Sequence, residues 1–151
     1  MYSTRADIIQ LLPEEIIIQL TDDENLAPTA IDPTDATHAA MISRIDEAIE
    51  TADAEIDGYC AVKYSVPFTT VPRLITGLSV EIAIYYLYKR RTVPEKIEKA
   101  YERAVSRLKD ISRGLLTLGV DPPPTASAAG GAESNKPISD RIFTIGKMQG
   151  F

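Results

Sequence analysis

The side chains of this chain that could carry covalent or acid–base chemistry are few and poorly matched. Cys60 is the only cysteine and His38 the only histidine, and nothing in their spacing marks a nucleophile with its base. Cys60 therefore reads as a small buried hydrophobe. Asp46, Glu47, Glu50, Asp53, Glu55 and Asp57 form a dense run of carboxylates, two of which could in principle serve as acid and base. On an amphipathic helix such a run is more often a solvated or partner-facing surface. Ala129-Gly130-Gly131 lacks the preceding strand and the following Gly-Lys-Thr of a phosphate-binding loop. With no metal-ligand spacing either, no cofactor is expected and an enzyme ranks last among the function classes.

The carboxylates belong to a long helix. Ile42, Ile45, Ile49, Ala52, Ile56 and Tyr59 recur at spacings of three and four, so one stripe faces a partner and the acids take the opposite face. Asp35 or Thr34 is placed to cap this helix. Ahead of it, Thr4 with Asp7 predicts a capping box, and Pro13-Glu14-Glu15 a second short helix, followed by an acidic loop broken by Pro28 and Pro33. Gly58 could loosen the end of the long helix, and Val66-Pro67 through Val71-Pro72 cannot continue it. Tyr64 and Phe68 in this connector read as buried turn aromatics.

From Pro72 a second helix is apolar on every face, from Leu74 to Tyr88. It is either the central core helix or a helix covered in part by neighbouring subunits through Tyr85 and Tyr88. After Pro94 a third helix carries Ile97, Tyr101, Ala104, Val105, Leu108, Ile111 and Leu115 on one stripe. Lys96, Lys99, Arg103, Arg107, Lys109 and Arg113 occupy its other faces, and its end is expected near Leu118. The fold class is all-α: a small bundle of three long core helices and short N-terminal helices, over residues 1–118.

Residues 119–137 change character, with Pro122-Pro123-Pro124 followed by Ala, Gly and Ser, as in an extended, flexible linker. Residues 138–151 regain Ile138, Ile142, Phe143, Ile145, Met148 and Phe151, with Arg141 and Lys147. A hydrophobic end on a tether reads as a docking segment.

Charge is segregated along the chain. Residues 1–60 hold 14 acids and two bases, whereas residues 61–118 hold 11 bases and five acids. The pattern argues against a general nucleic-acid binder, which would be basic overall. Either the molecule has one acidic and one basic side, or the two kinds of helix neutralise each other within one fold. Arg5 and Asp7 interrupt any apolar leader, no run approaches the ~20 residues needed to span a bilayer, and a single cysteine suits a reducing compartment. A soluble intracellular protein, without a membrane partner, is expected.

The order of motifs resembles a family of small proteins encoded in the morphogenesis clusters of Mu-like phages and prophages. The shared pattern is Tyr2-Ser3-Thr4 with Asp7-Ile8, then Ile49 and Ala52 leading to Ile56-Asp57-Gly58-Tyr59, Lys63-Tyr64, Pro67 and Pro72. It continues with Ala83 to Arg91, Tyr101 to Gly114, Arg141, Phe143 and the Met148 to Phe151 end. The linker over 119–137 departs from it in length and in Pro and Gly content. The resemblance implies a structural virion protein of the neck, a head-tail adaptor or head-completion protein made and assembled in the bacterial host cytoplasm. Such proteins form a closed ring, commonly of twelve copies, which binds the portal protein, meets a tail-side neck or tail terminator protein, and lets DNA pass without sequence-specific binding.

A ring needs a heterologous interface, one face of a subunit against a different face of the next. Asp46, Glu50, Asp53 and Asp57 are candidates for one side, Lys96, Lys99, Arg103 and Arg107 for the other, with Tyr85 and Tyr88 between. Ile138, Arg141, Ile142, Phe143, Ile145, Met148 and Phe151 are candidates for docking on the portal or an adjacent subunit. The rival reading is a cytosolic helical regulatory or protein-binding module acting through its C-terminal tail.

Overall fold

Thr4 opens the first helix because its hydroxyl can satisfy a backbone donor that the helix leaves free. In the computed structural model, which describes residues 1–119, Thr4 Oγ1 accepts from the Asp7 N–H at 3.3 Å. Asp7 Oδ2 accepts in turn from the Thr4 N–H at 2.8 Å. The expected capping box thus starts α1 (Arg5–Leu11). α2 (Glu14–Thr21) follows with Pro13 at its N-cap and two glutamates in its first turn. The acidic loop beyond is tied by Asp22, whose carboxylate accepts from the Ala27 and Leu26 N–H groups at 2.8 and 3.1 Å. Those hydrogen bonds, Ala27 first, hold the Asp22 carboxyl below its usual range.

Asp35 caps a single 3₁₀ turn, Ala36–His38, and not the long helix itself. The turn runs directly into α3 (Ala39–Cys60). Ile45, Ile49, Ala52 and Ile56 are buried as the stripe predicts, with Ile42 and Tyr59 at its edges. Gly58 does not end the helix, which continues to Cys60.

α4 (Arg73–Tyr88) and α5 (Glu95–Arg113) each begin directly after a proline, Pro72 and Pro94, as α2 does after Pro13. Proline suits that place because the first backbone donors of a helix have no partner within it. α4 is the centre of the bundle. Its Ile75, Leu78, Val80, Ile82, Ala83, Ile84 and Leu87 are buried, covered mainly by α3 and α5 and at the flank by α1 and α2. The apolar surplus of this helix is thus covered within one chain, each large aliphatic contributing roughly 1.5–3 kcal/mol.

The connector between α3 and α4 is aromatic inside. Tyr64 is buried and Phe68 half-buried, their rings 6.1 Å apart, and Phe68 lies 5.6 Å from Tyr2.

α5 ends at Arg113, earlier than the expected stop near Leu118. Gly114 takes a left-handed conformation (φ 77°), and the Leu115 N–H returns to the Asp110 carbonyl at 2.9 Å. Leu115, placed by its spacing on the buried stripe, consequently lies outside the helix and is 75% exposed. Leu116 and Leu118 fold back against the core, and the Leu118 N–H donates to the Tyr64 hydroxyl at 3.2 Å.

The described residues are helices and loops without strands, as an all-α bundle requires. None of their helices is long and apolar enough to cross a membrane. Apart from residue 119, the expected linker over 119–137 lies outside the described residues. So does the docking segment 138–151, with Ile138, Arg141, Ile142, Phe143, Ile145, Met148 and Phe151.

Candidate functional site

The acids of α3 do not share one environment. Asp46, Glu50, Asp53 and Asp57 follow at spacings of four, three and four, so they line one flank of the helix. The C-terminal pair is turned inward to hold the N-terminal segment. Asp53, only 14% exposed, lies 3.7 Å from the N-terminal ammonium. Its carboxylate accepts from the Tyr2 N–H and from the Ser79 hydroxyl, both at 2.8 Å. Ser79 Oγ also lies 2.8 Å from Ser3 Oγ. Asp57 accepts from the Tyr2 hydroxyl, whose oxygen accepts in turn from the Phe68 N–H at 3.1 Å. Burial first, and then the Asp57 carboxylate, push the Tyr2 phenol far above its ordinary pKa.

The N-terminal pair remains toward solvent. Asp46 faces Arg5 Nε at 3.7 Å, and Glu50 is exposed beside Glu47. Together with Asp35, Ala39, Ile42 and Ser43 they border a shallow acidic concavity on the first half of α3.

Glu55, assigned by its sequence pattern to the acidic face, sits on the other flank. Its two carboxylate oxygens accept from the Tyr86 and Tyr101 hydroxyls, each at 3.0 Å. Tyr85 stacks on Tyr101 with ring centroids 4.0 Å apart and planes at 11°, and Lys89 lies 5.4 Å above the Tyr86 ring. Burial, followed by the bond to Glu55, raises the Tyr86 and Tyr101 phenols. Tyr85 and Tyr88 are half-buried, and Tyr88 packs against the core. The tyrosines of α4 are thus a seam between helices with their edges at the surface.

Lys96, Lys99, Arg103 and Arg107 follow at spacings of three, four and four and are all exposed. They form one basic stripe on α5. Lys99 pairs with Glu95 one turn back at 2.5 Å, and Arg103 Nε donates to the Lys99 carbonyl at 3.2 Å. Among the described residues no ion pair joins these bases to the α3 acids. The acidic and basic helices therefore do not neutralise each other by direct pairing. The pairs that cross the fold use other partners: Arg5 faces Asp46 at 3.7 Å, and Asp23 bridges Arg44 at 3.0 Å and Arg90 at 2.6 Å.

Tyr2, Ser3 and Ser79 were not candidates on sequence grounds. Ser79 carried a signal, since a hydroxyl inside an otherwise apolar helix must find a partner when buried. Cys60 is fully buried, and burial pushes its thiol up to about 11, away from nucleophilic use. His38 Nδ1 accepts from the Asp32 N–H at 3.0 Å and so shapes the loop. No group of three metal-ligating side chains occurs among the described residues.

Comparison with known proteins gives this architecture a lineage. The family described as Bacteriophage Mu, Gp36 matches residues 2–136. The chain is 31% identical over 91 residues to the Mu-like prophage FluMu protein gp36 of Haemophilus influenzae, covering 60% of this chain and 64% of that protein. It is 30% identical over 110 residues to Gene product J of Escherichia phage Mu, covering 70% of this chain and 74% of the relative. The chain is a phage protein and belongs to the bacteriophage Mu Gp36 family.

Proposed function

We propose that this protein is a structural component of the virion neck: a head-tail adaptor, or head-completion protein, that assembles as a ring on the portal protein. One observation carries the reading. The acidic patch of Asp46, Glu47 and Glu50 and the basic stripe of Lys96, Lys99, Arg103 and Arg107 lie on different helices, toward solvent, with no ion pair between them among the described residues. One subunit's patch can therefore meet the next subunit's stripe, the heterologous contact from which closed rings are built.

Phage-family membership supplies the setting, and the helical bundle supplies a rigid wedge to repeat around an axis. Acidic side chains turned toward the channel would let DNA pass without holding its phosphates. The segment 138–151 would reach the portal or an adjacent subunit, and a tail-side neck protein would meet the opposite rim. The role is structural and not catalytic.

Mass spectrometry of purified virions tests the reading. The protein is expected in mature particles at a copy number matching the neck, and in isolated neck complexes with the portal. Absence from mature particles would overturn it in favour of a helical regulatory module that stays in the cytosol.

A further inference from the structure

Between α1, α2, the 31–33 segment and the start of α3 runs an apolar cleft of about 350 Å³. Its floor is Ile8, Ile17 and Ile45, and its walls include Ile31 and Pro33. Ile9 stands at its edge, 42% exposed. This is the small end of the range for ligand clefts, roughly 300–1,000 Å³, enough for a few side chains but not for a folded partner. No described residue fills it.

We propose that the apolar segment 138–151 of the same chain occupies this cleft in the unassembled subunit, seating Ile142 and Phe143 against Ile9 and Ile31. The chemistry matches: Asp140-Arg141 precedes the apolar pair, and the cleft is flanked by Arg5, which also faces Asp46 at 3.7 Å, and by Glu14, which accepts from the Ile31 N–H at 2.9 Å. One charge of each sign therefore stands beside apolar groups on both partners.

The tether's origin supports an occupant from the same chain. Leu118 is held at Tyr64 by its N–H at 3.2 Å. Tyr64 lies 6.1 Å from Phe68, and Phe68 lies 5.6 Å from Tyr2, which is two residues before Thr4 on the cleft wall. The chain thus leaves the bundle only a few side chains from the cleft. Residues 119–137 separate the bundle from the segment, and a chain of that length can span up to about 60 Å. Such a tether gives a local concentration of about millimolar order, so a modest apolar contact suffices without a second copy. Seating the segment covers its hydrophobic side chains until a binding partner draws it out. The inference is independent of ring assembly, because it concerns the free subunit.

Disulfide trapping in the full chain tests it, since the single native thiol, Cys60, is buried and unreactive. Ile9→Cys with Phe143→Cys should close an intramolecular disulfide under mild oxidation at least tenfold faster than Thr92→Cys with Phe143→Cys. Adding Ile142→Asp should slow the first pair to the control rate. Equal rates in the two pairs would overturn the proposal, and disulfides formed between chains would assign the cleft to a second copy instead. A measurement with no change in the bundle guards against misfolding. Amide exchange in α1 of the otherwise native chain should speed up in Phe143→Asp, and unchanged exchange there would also overturn it.

Discussion

Glu55 and Tyr101 are joined by a 3.0 Å hydrogen bond that ties α3 to α5, while the other oxygen of the same carboxylate ties α3 to α4 through Tyr86. One side chain therefore fastens all three long helices. Glu55→Ala leaves two half-buried phenols without their acceptor and is expected to cost about 1–3 kcal/mol. Tyr101→Phe, which removes one donor and keeps the ring on Tyr85, should cost about 0.5–1.5 kcal/mol. Urea unfolding measures both, and equal losses for the two variants would show that the carboxylate does not serve both helices.

Alkaline pH probes the same phenols together with Tyr2. Burial and the adjacent carboxylates raise all three in the folded chain, whereas an unfolded tyrosine ionises near pH ~10. Above that pH the unfolded chain loses protons that the folded chain keeps. Their stabilisation is thus complete below about pH 10 and falls as pH rises toward the folded-state values. The urea midpoint should decline above about pH 10, and less steeply in Tyr2→Phe. A Tyr2→Phe profile parallel to the native one would rule out this origin.

Cys60 should be silent to thiol reagents in the native protein. It is fully buried on α3 and its thiol is pushed up to about 11. Labelling at pH 8 should proceed only after denaturant is added, at a rate set by opening of the bundle. Immediate labelling of the folded chain would contradict the packing of α3 against its neighbours.

Gly114 should resist replacement. Its φ of 77° belongs to the left-handed region, and the nearest atoms to an added methyl group would be the Lys63 side chain at 3.6 Å. Space is therefore available, and Gly114→Ala should lose about 1–2 kcal/mol from backbone conformation alone. A neutral result in thermal or urea unfolding would mean that the turn can be rebuilt.

Charge reversal separates assembly from folding. Lys99→Glu with Arg103→Glu alters exposed residues only, so helical content should stay unchanged while, if the proposed ring contact forms, association with a second subunit or with portal complexes falls at least tenfold. Adding Glu47→Lys and Glu50→Lys to the neighbour should restore it. Normal assembly of the reversed protein would sink the charge-pairing scheme.

The helices were legible because their signals are local. Thr4 with Asp7, the prolines at 13, 72 and 94, and the Ile45–Ile56 stripe act over one or two turns, and all appear where their chemistry places them. The stop of α5 was misplaced because Gly114 and Gly119 both offer a left-handed turn, and only the return of Leu116 and Leu118 to the core decides between them. Residues that meet across the fold were illegible for a different reason. The clamp of Tyr2 on Asp53 and Asp57 spans more than 50 positions, and no period in the chain links a carboxylate to a distant phenol. The acidic run of α3 consequently read as one face when its members serve three separate neighbourhoods.

That division of α3 decides how the molecule answers to salt. The carboxylates of Asp53, Asp57 and Glu55 are held by hydrogen bonds at helix seams, where mobile ions screen weakly. Asp46, Glu47 and Glu50 lie toward solvent, where attraction fades beyond a Debye length of about 8 Å at physiological ionic strength. In the proposed ring, concentrated salt should therefore detach each subunit from the next while leaving every bundle intact, so that the two halves of a single acidic helix set two distinct thresholds.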